Sequence, residues 1–409
     1  MVVLVLLVLR FPISGKPVPF TASPEVRSLV EGNSAFAVDL YRRLGSEPGN
    51  LFFSPHGIST CLAMTYAGAR GQTEKELATA LHFQLPPAAV DGAFGELARR
   101  MDRIQRWNRL SLSSANSLWL QQDYRFADDF LAQIRTAYRV EAQRVDFKQN
   151  PQEAEARVNR WAAEATHGKI QDALRAVHLS PSSRLVLGNA IHFKGTWKDR
   201  FEPGETSTRL FHVTTETSVP VPMMHRRAHF KTASEEHGDL LLLELPYSGD
   251  DLSMVILLPQ VHEFLPAAER FSLGALEGLL SLEKLNRWLQ KLNQSPGNET
   301  DVNLPRFRLR QRYNLVPTLK TAGLTSLFDW RADLSGMDGT TNLFVTEVTH
   351  EAFVEVNEAG TEAAGITLMH VATKSMTTRV TIDHPFMFLI RDRASGSILF
   401  LGRIVDPTK

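Results

Sequence analysis

Three groups of residues in this chain have types and spacings that could do chemistry. His225 and His229 stand four apart in MHRRAHF, a spacing that on a helix would aim two imidazoles at one metal ion. The flanking residues read as strand and no third ligand is in view, so no metal site is expected. Arg99, Arg103 and Arg106 would share one helix face, a strip of guanidinium groups able to meet heparin or another polyanion. A solvated helix face is the simpler reading of the same strip. The third group is a soft stretch, EVNEAGTEAAGITLMHVATKSM, from residue 355 to 376. Side chains of a strand alternate faces, so Thr361, Ala363, Gly365, Thr367 and Met369 would point one way, mostly small and all uncharged. Glu362 would fall on the other face. Such a segment can lie exposed as a loop and still pair into a sheet as an added strand.

Catalytic constellations are missing from the sequence. It has no G-x-S-x-G, no Walker A loop and no H-E-x-x-H. GARGQT (68–73) lacks the Lys-Ser/Thr pair of a phosphate loop and reads as a helix-capping turn. Neither an enzyme nor a cofactor is expected.

The elements around these residues fall into two textures. Phe36, Leu40 and Leu44 recur at helical spacing, with Asn33 or Ser34 as N-cap and Gly45 as stop. Thr73 and Glu76 have the form of a capping box ahead of Leu77 and Leu81. Helical patterns run to about residue 174, interrupted by strand-like SANSLWL. From about residue 184 short apolar runs bounded by turn residues take over: RLVLGNAIHF, DLLLLELPY, SMVILLP, VNLPRFRLR and, near the end, EAFVEV, HPFMFLI and SILFLGRI. Helices return near 273–292 and 313–324. With no internal repeat and no linker after residue 25, the pattern predicts one α+β domain over residues 26–409.

The 409 residues suffice for a large core, and the 43% hydrophobic and 22% charged fractions are those of a soluble globular protein. Lys and Arg balance Asp and Glu at 45 each, so no global field favours nucleic acid or membrane. A monomer is expected. The one cysteine, Cys61, sits in an apolar run and reads as a buried hydrophobe. Residues 1–25 read as a leader: an apolar run at Val2–Leu9, interrupted at Arg10, then a proline-rich linker. Read as a signal peptide, it predicts an extracellular protein, and the sequons at Asn293 and Asn298 are compatible with that.

Eight ordered segments then resemble one family. They are NLFFSPHGIS (50–59), GARGQTEKEL (68–77), NRWAAEATHGKIQD (159–172), LVLGNAIHFKGTWKDRF (185–201), LPRFRL (304–309), ADLSGM (332–337), HEAFVEVNEAGTEAAG (350–365) and DHPFMFLIRD (383–392). On these the chain resembles the serpins from about Ser34 to Pro407. The resemblance implies a mixed α+β fold with three β-sheets, about eight or nine helices, and an exposed reactive-centre loop, here about 358–379. It implies suicide-substrate inhibition. A serine protease cleaves the loop and is held as an acyl-enzyme, and the loop enters the central sheet as a new strand. A carrier or chaperone without inhibitory activity is the alternative.

Family spacing puts the hinge glutamate, Glu358, sixteen residues before the cut, which gives Lys374; counting back eleven from Pro385 also gives Lys374. The reactive bond implied is Lys374–Ser375, with Arg379 as runner-up, and a lysine there implies a trypsin-like partner. The hinge is Glu358, Gly360, Thr361, Glu362, Ala363, Ala364 and Gly365. Polar residues beneath the opening sheet map onto Ser54, Asn189 and His350, and Trp197 onto the loop's entry point. Gly57 stands where the family usually has a second serine, which implies an easier sheet opening or a water in the gap. Ala359 replaces a more usual acidic residue, and Ile366 a smaller one.

Overall fold

A computed structural model describes residues 20–108, 111–170, 184–235, 238–260, 272–361 and 378–409. Among these lie ten α-helices: α1 (Pro24–Leu44), α2 (Pro55–Gly68), α3 (Gly71–Ala80), α4 (Pro87–Asn108), α5 (Asp128–Tyr138), α6 (Pro151–Ala165), α7 (Leu273–Leu279), α8 (Leu282–Gln294), α9 (Val316–Thr321) and α10 (Ser335–Asp338). The strands are β1 (Leu51–Phe53), β2 (Ser111–Gln121), β3 (Ala142–Val145), β4 (Leu185–Thr196), β5 (Ser207–His212), β6 (Ser218–Ser234), β7 (Leu240–Pro246), β8 (Leu252–Pro259), β9 (Asn298–Pro305), β10 (Phe307–Asn314), β11 (Val348–Val356), β12 (Gly360–Thr361), β13 (Thr378–Thr381), β14 (Phe386–Asp392) and β15 (Ile398–Ile404).

The strands form a central sheet in the order β10-β11-β4-β2-β3, with two-residue β12 attached to β4, and a longer path β1-β15-β14-β8-β7-β6-β9-β13 with β5 against β6. The longer path is two sheets sharing one strand. Met223–Phe230 of β6 pair with β9, and Lys231–Ser234 pair with β7. In the central sheet β11 and β4 run parallel, Val348 opposite Leu187 through Phe353 opposite His192. β11 is buried at every residue but Glu355, so its polar members such as His350 and Glu351 must find partners within the fold. Beneath the two strands α2 is buried along its whole length, as a helix without a polar face must be.

Two helix starts differ from the sequence expectation. Ser23 caps α1, with Pro24 and Glu25 in its first turn, so the end of the proline-rich stretch is helix rather than linker. Asn33 and Ser34 lie inside that helix: the Ser34 hydroxyl donates to Val30 O, and Asn33 Oδ1 accepts from Ser59. Thr73 and Glu76 form no capping box. Thr73 Oγ1 accepts from Asp333 N, and Glu76 accepts from the backbone of Thr325 and Ser326, so both serve a distant turn. Local sequence cannot show such long-range partners.

Cys61 is buried and burial pushes its thiol up to about 12, which makes it inert at neutral pH. His225 and His229 lie on β6 as expected, and the described residues hold no group of three side chains able to take a metal. No helix among the described residues is long and apolar enough to cross a membrane.

Candidate functional site

The central sheet carries two polar clusters on the β4–β11 seam. The deeper one joins Ser54, Asn189 and His350, far apart in sequence. Ser54 caps α2, its hydroxyl accepting from Gly57 N (3.0 Å) and donating to Leu399 O (2.6 Å). Its backbone N–H donates to His350 Nε2 (3.0 Å). That fixes the tautomer: Nε2 must be unprotonated, so Nδ1–H donates to Asn189 Oδ1 (2.8 Å). Asn189 Nδ2 in turn donates to Asn116 Oδ1 on β2 (2.7 Å). The chain of bonds thus crosses from α2 through β11 and β4 to β2. Asn116 was not legible from sequence.

Gly57 corrects one expectation. A side chain at 57 would meet the Asn189 carboxamide at 2.7–2.8 Å, so Asn189 already fills the space assigned to a missing serine or a water. The water expected in that space is thus displaced by Asn189 itself.

Burial lowers His350 to about 3, and burial likewise lowers neighbouring His56 to about 4 despite the opposing charge of Asp392. Both are neutral in the fold, whereas the unfolded chain takes up protons near pH 6.5. Stability is therefore full above that pH and is lost as pH falls toward 3–4. Each histidine is expected to cost about 2 kcal/mol at pH 5. Denaturant midpoints at pH 7 and pH 5 check this, and equal midpoints would contradict it.

The second cluster sits where β11 turns into the loop. Asn357 and Gly360 exchange both backbone hydrogen bonds (2.8 and 3.1 Å), closing a tight turn. Trp197, stacked on Tyr247 at 4.6 Å, donates from Nε1 to Asn357 O and from its backbone to Ala359 O. Phe201 N donates to Glu358 O, and β12 pairs with β4, Gly360 opposite Thr196 and Thr361 opposite Gly195. The Glu358 side chain is buried. Burial raises its pKa, but the Arg306 guanidinium and the Thr206 hydroxyl (2.6 Å) outweigh that and hold it below the usual carboxylate range. Arg306 and Thr206 lack any sequence signal. Ala359 is buried too, and lines the same cavity as Arg306.

Gly360 has φ +145°, and a methyl there would overlap the Gly195 carbonyl and approach Thr196 Cα to 2.6 Å. Gly360→Ala is expected to expel this turn and to cost about 2 kcal/mol. Faster proteolysis near residue 360 and a lowered unfolding midpoint would register both effects, and wild-type values would refute them.

Glu362, Ala363, Ala364, Gly365 and Ile366, with Lys374 and Ser375, lie outside the described residues. Arg99, Arg103 and Arg106 are exposed along α4, while Arg100 between them is buried against Asp392 and Asp251. Arg379, the runner-up at the reactive bond, lies on β13 and reaches Asp301 at 3.5 Å.

Residues 31–407 match the family model described as serpin (serine protease inhibitor). The leukocyte elastase inhibitor of Sus scrofa is 40% identical over 390 residues, covering 93% of this chain and all of the relative. Serpin B8 of Homo sapiens is 36% identical over 386 residues, 93% of this chain and 99% of the relative. Human thyroxine-binding globulin complexed with thyroxine has a similar structure (TM-score 0.82, 28% identity, 94% of this chain and all of that one). The match to leukocyte elastase inhibitor and serpin B8 overturns the extracellular placement expected from Val2–Leu9. An apolar run of eight residues carries too little information to decide a compartment.

Proposed function

This chain belongs to the serpin family, and from that premise we propose that it inhibits a serine protease as a suicide substrate. The matched family model is described as serine protease inhibitor, and the leukocyte elastase inhibitor among its relatives is named for inhibition, not catalysis. The observation that carries the mechanism is β12. Residues 360 and 361 pair antiparallel with β4 while Gly360 bridges to Asn357 at the end of β11, so the loop's first residues stand in the seam that an added strand would fill. Cleavage would free the rest of the segment to follow, with the native fold as the kinetically trapped partner of a lower-energy inserted state. Ser54, Asn189 and His350 then act as the polar clasp that opens, and Trp197 and Glu358 hold the entry point.

For the target we favour a basic-specific protease cut at Lys374–Ser375. A relative named for elastase speaks for a different class. Incubation with a panel of basic-specific and elastase-like proteases, with mass spectrometry of the cleaved loop, tests both at once. No SDS-stable adduct with any member would end the inhibitory reading.

A carrier role, as for thyroxine-binding globulin, makes the opposite thermal prediction: loop cleavage would leave the unfolding midpoint unchanged instead of raising it. A polyanion partner at Arg99, Arg103 and Arg106 is a separate proposal, supported by their shared exposure on α4. The triple Arg→Ala variant is expected to leave heparin resin at lower salt, and equal elution would remove this partner.

A further inference from the structure

Against the docked hinge lies a cavity of about 570 Å³, within the range of small-ligand sites. Phe201, Pro222 and Val356 give it apolar walls, and the backbone of 357–359 closes one side. Three guanidinium groups reach it, from Arg200, Arg306 and Arg308. Their circumstances differ. Arg306 is engaged by Glu358, and Glu202 on the rim is reached by Arg226 at 3.4 Å. Arg200 and Arg308 have no carboxylate partner among the described residues; Arg308 lies 5.0 Å over the ring of Phe353. Glu355, opposite Arg308 in the β10–β11 ladder, is the one carboxylate left to face them. Two uncommitted cations against one carboxylate leave net positive charge beside apolar wall.

We propose that this cavity binds a small amphipathic carboxylate, an apolar body bearing one acid group, with Arg200 and Arg308 as its paired donors. A guanidinium fork matches a carboxylate in geometry as well as charge, and the hydrophobic walls take the body. The ligand would touch the hinge backbone. On the loop-insertion reading above, it therefore distinguishes the uncleaved from the cleaved chain; binding itself does not depend on that reading.

Calorimetric titration of the full chain with naphthalene-1-acetate, against naphthalene-1-methanol as the uncharged control, tests the site. The acid is expected to saturate one site and to bind about tenfold or more tightly than the alcohol. Arg200→Gln and Arg308→Gln should each remove most of that advantage, and Glu355→Gln, which deletes the like charge, should tighten the acid. No saturable binding, equal binding of acid and alcohol, or an affinity unmoved in the Arg200→Gln/Arg308→Gln double variant would overturn the proposal. A chain that binds the acid but forms no protease adduct keeps the site and loses only its link to inhibition.

Discussion

Thr361→Arg is expected to turn this chain from an inhibitor into a substrate. Proteases should cleave the variant at an undiminished rate, while the moles of inhibitor consumed per mole of protease rise from about one to above about ten. The register carries the argument. Residue 361 pairs with Gly195, and the same register continued would bring Ala363 opposite Phe193, Gly365 opposite Ile191 and Thr367 opposite Asn189. Ile191 and Phe193 bury their side chains in the core beneath the sheet, so the odd-numbered loop residues would face that core. A guanidinium entering there without a partner costs several kcal/mol, enough to stall the strand at its first step while hydrolysis of the acyl-enzyme proceeds. Titration of protease activity against wild type and variant reads the ratio directly. An unchanged ratio would mean that the segment does not insert in this register.

The same register gives Thr367 a specific destination. The bridge of Asn357 to Gly360 continues along β11 to set residue 367 opposite His350, while β4 sets it opposite Asn189. These two side chains hydrogen-bond each other across the closed seam. A strand added between them must break that bond, and a threonine hydroxyl can accept from His350 Nδ1–H and donate to Asn189 Oδ1. The inserted state would then leave neither buried group unpaired.

Much of this was open to reading from the sequence, for a physical reason. Alternation with period two marks the faces of a strand whether or not the strand is yet in place, so the small odd-numbered residues of 361–369 were visible as a pattern. Helix and strand runs around them were equally local. What stayed hidden depends on distant contacts. Nothing near Glu358 announces Arg306 and Thr206, nothing near Asn189 announces Asn116, and the fit of Gly57 on α2 to the Asn189 carboxamide on β4 needs both elements in place. The docking of Gly360 likewise follows from the backbone of Gly195 and Thr196, which sequence spacing cannot bring near. Compartment was misread because a short apolar run is weak evidence, whereas the relatives match along 93% of the chain.

Lys374→Ala is expected to abolish adduct formation with trypsin-like proteases and to open the loop to elastase-like ones. The rate constant for the first should fall on the order of 10³-fold or more. A specificity pocket ending in a carboxylate pairs an ammonium group, and alanine would leave that buried carboxylate without its partner. An elastase-like pocket makes the reverse demand, since it cannot solvate the lysine it would have to bury. The substitution leaves the hinge, the seam and the clasp untouched, so any adduct it does form should be as stable as that of wild type. If wild type instead traps an elastase-like protease and Lys374→Ala changes neither rate, the reactive bond lies elsewhere in the loop. Loop insertion would survive that result, because the pairing of β12 with β4 does not depend on which bond is cut.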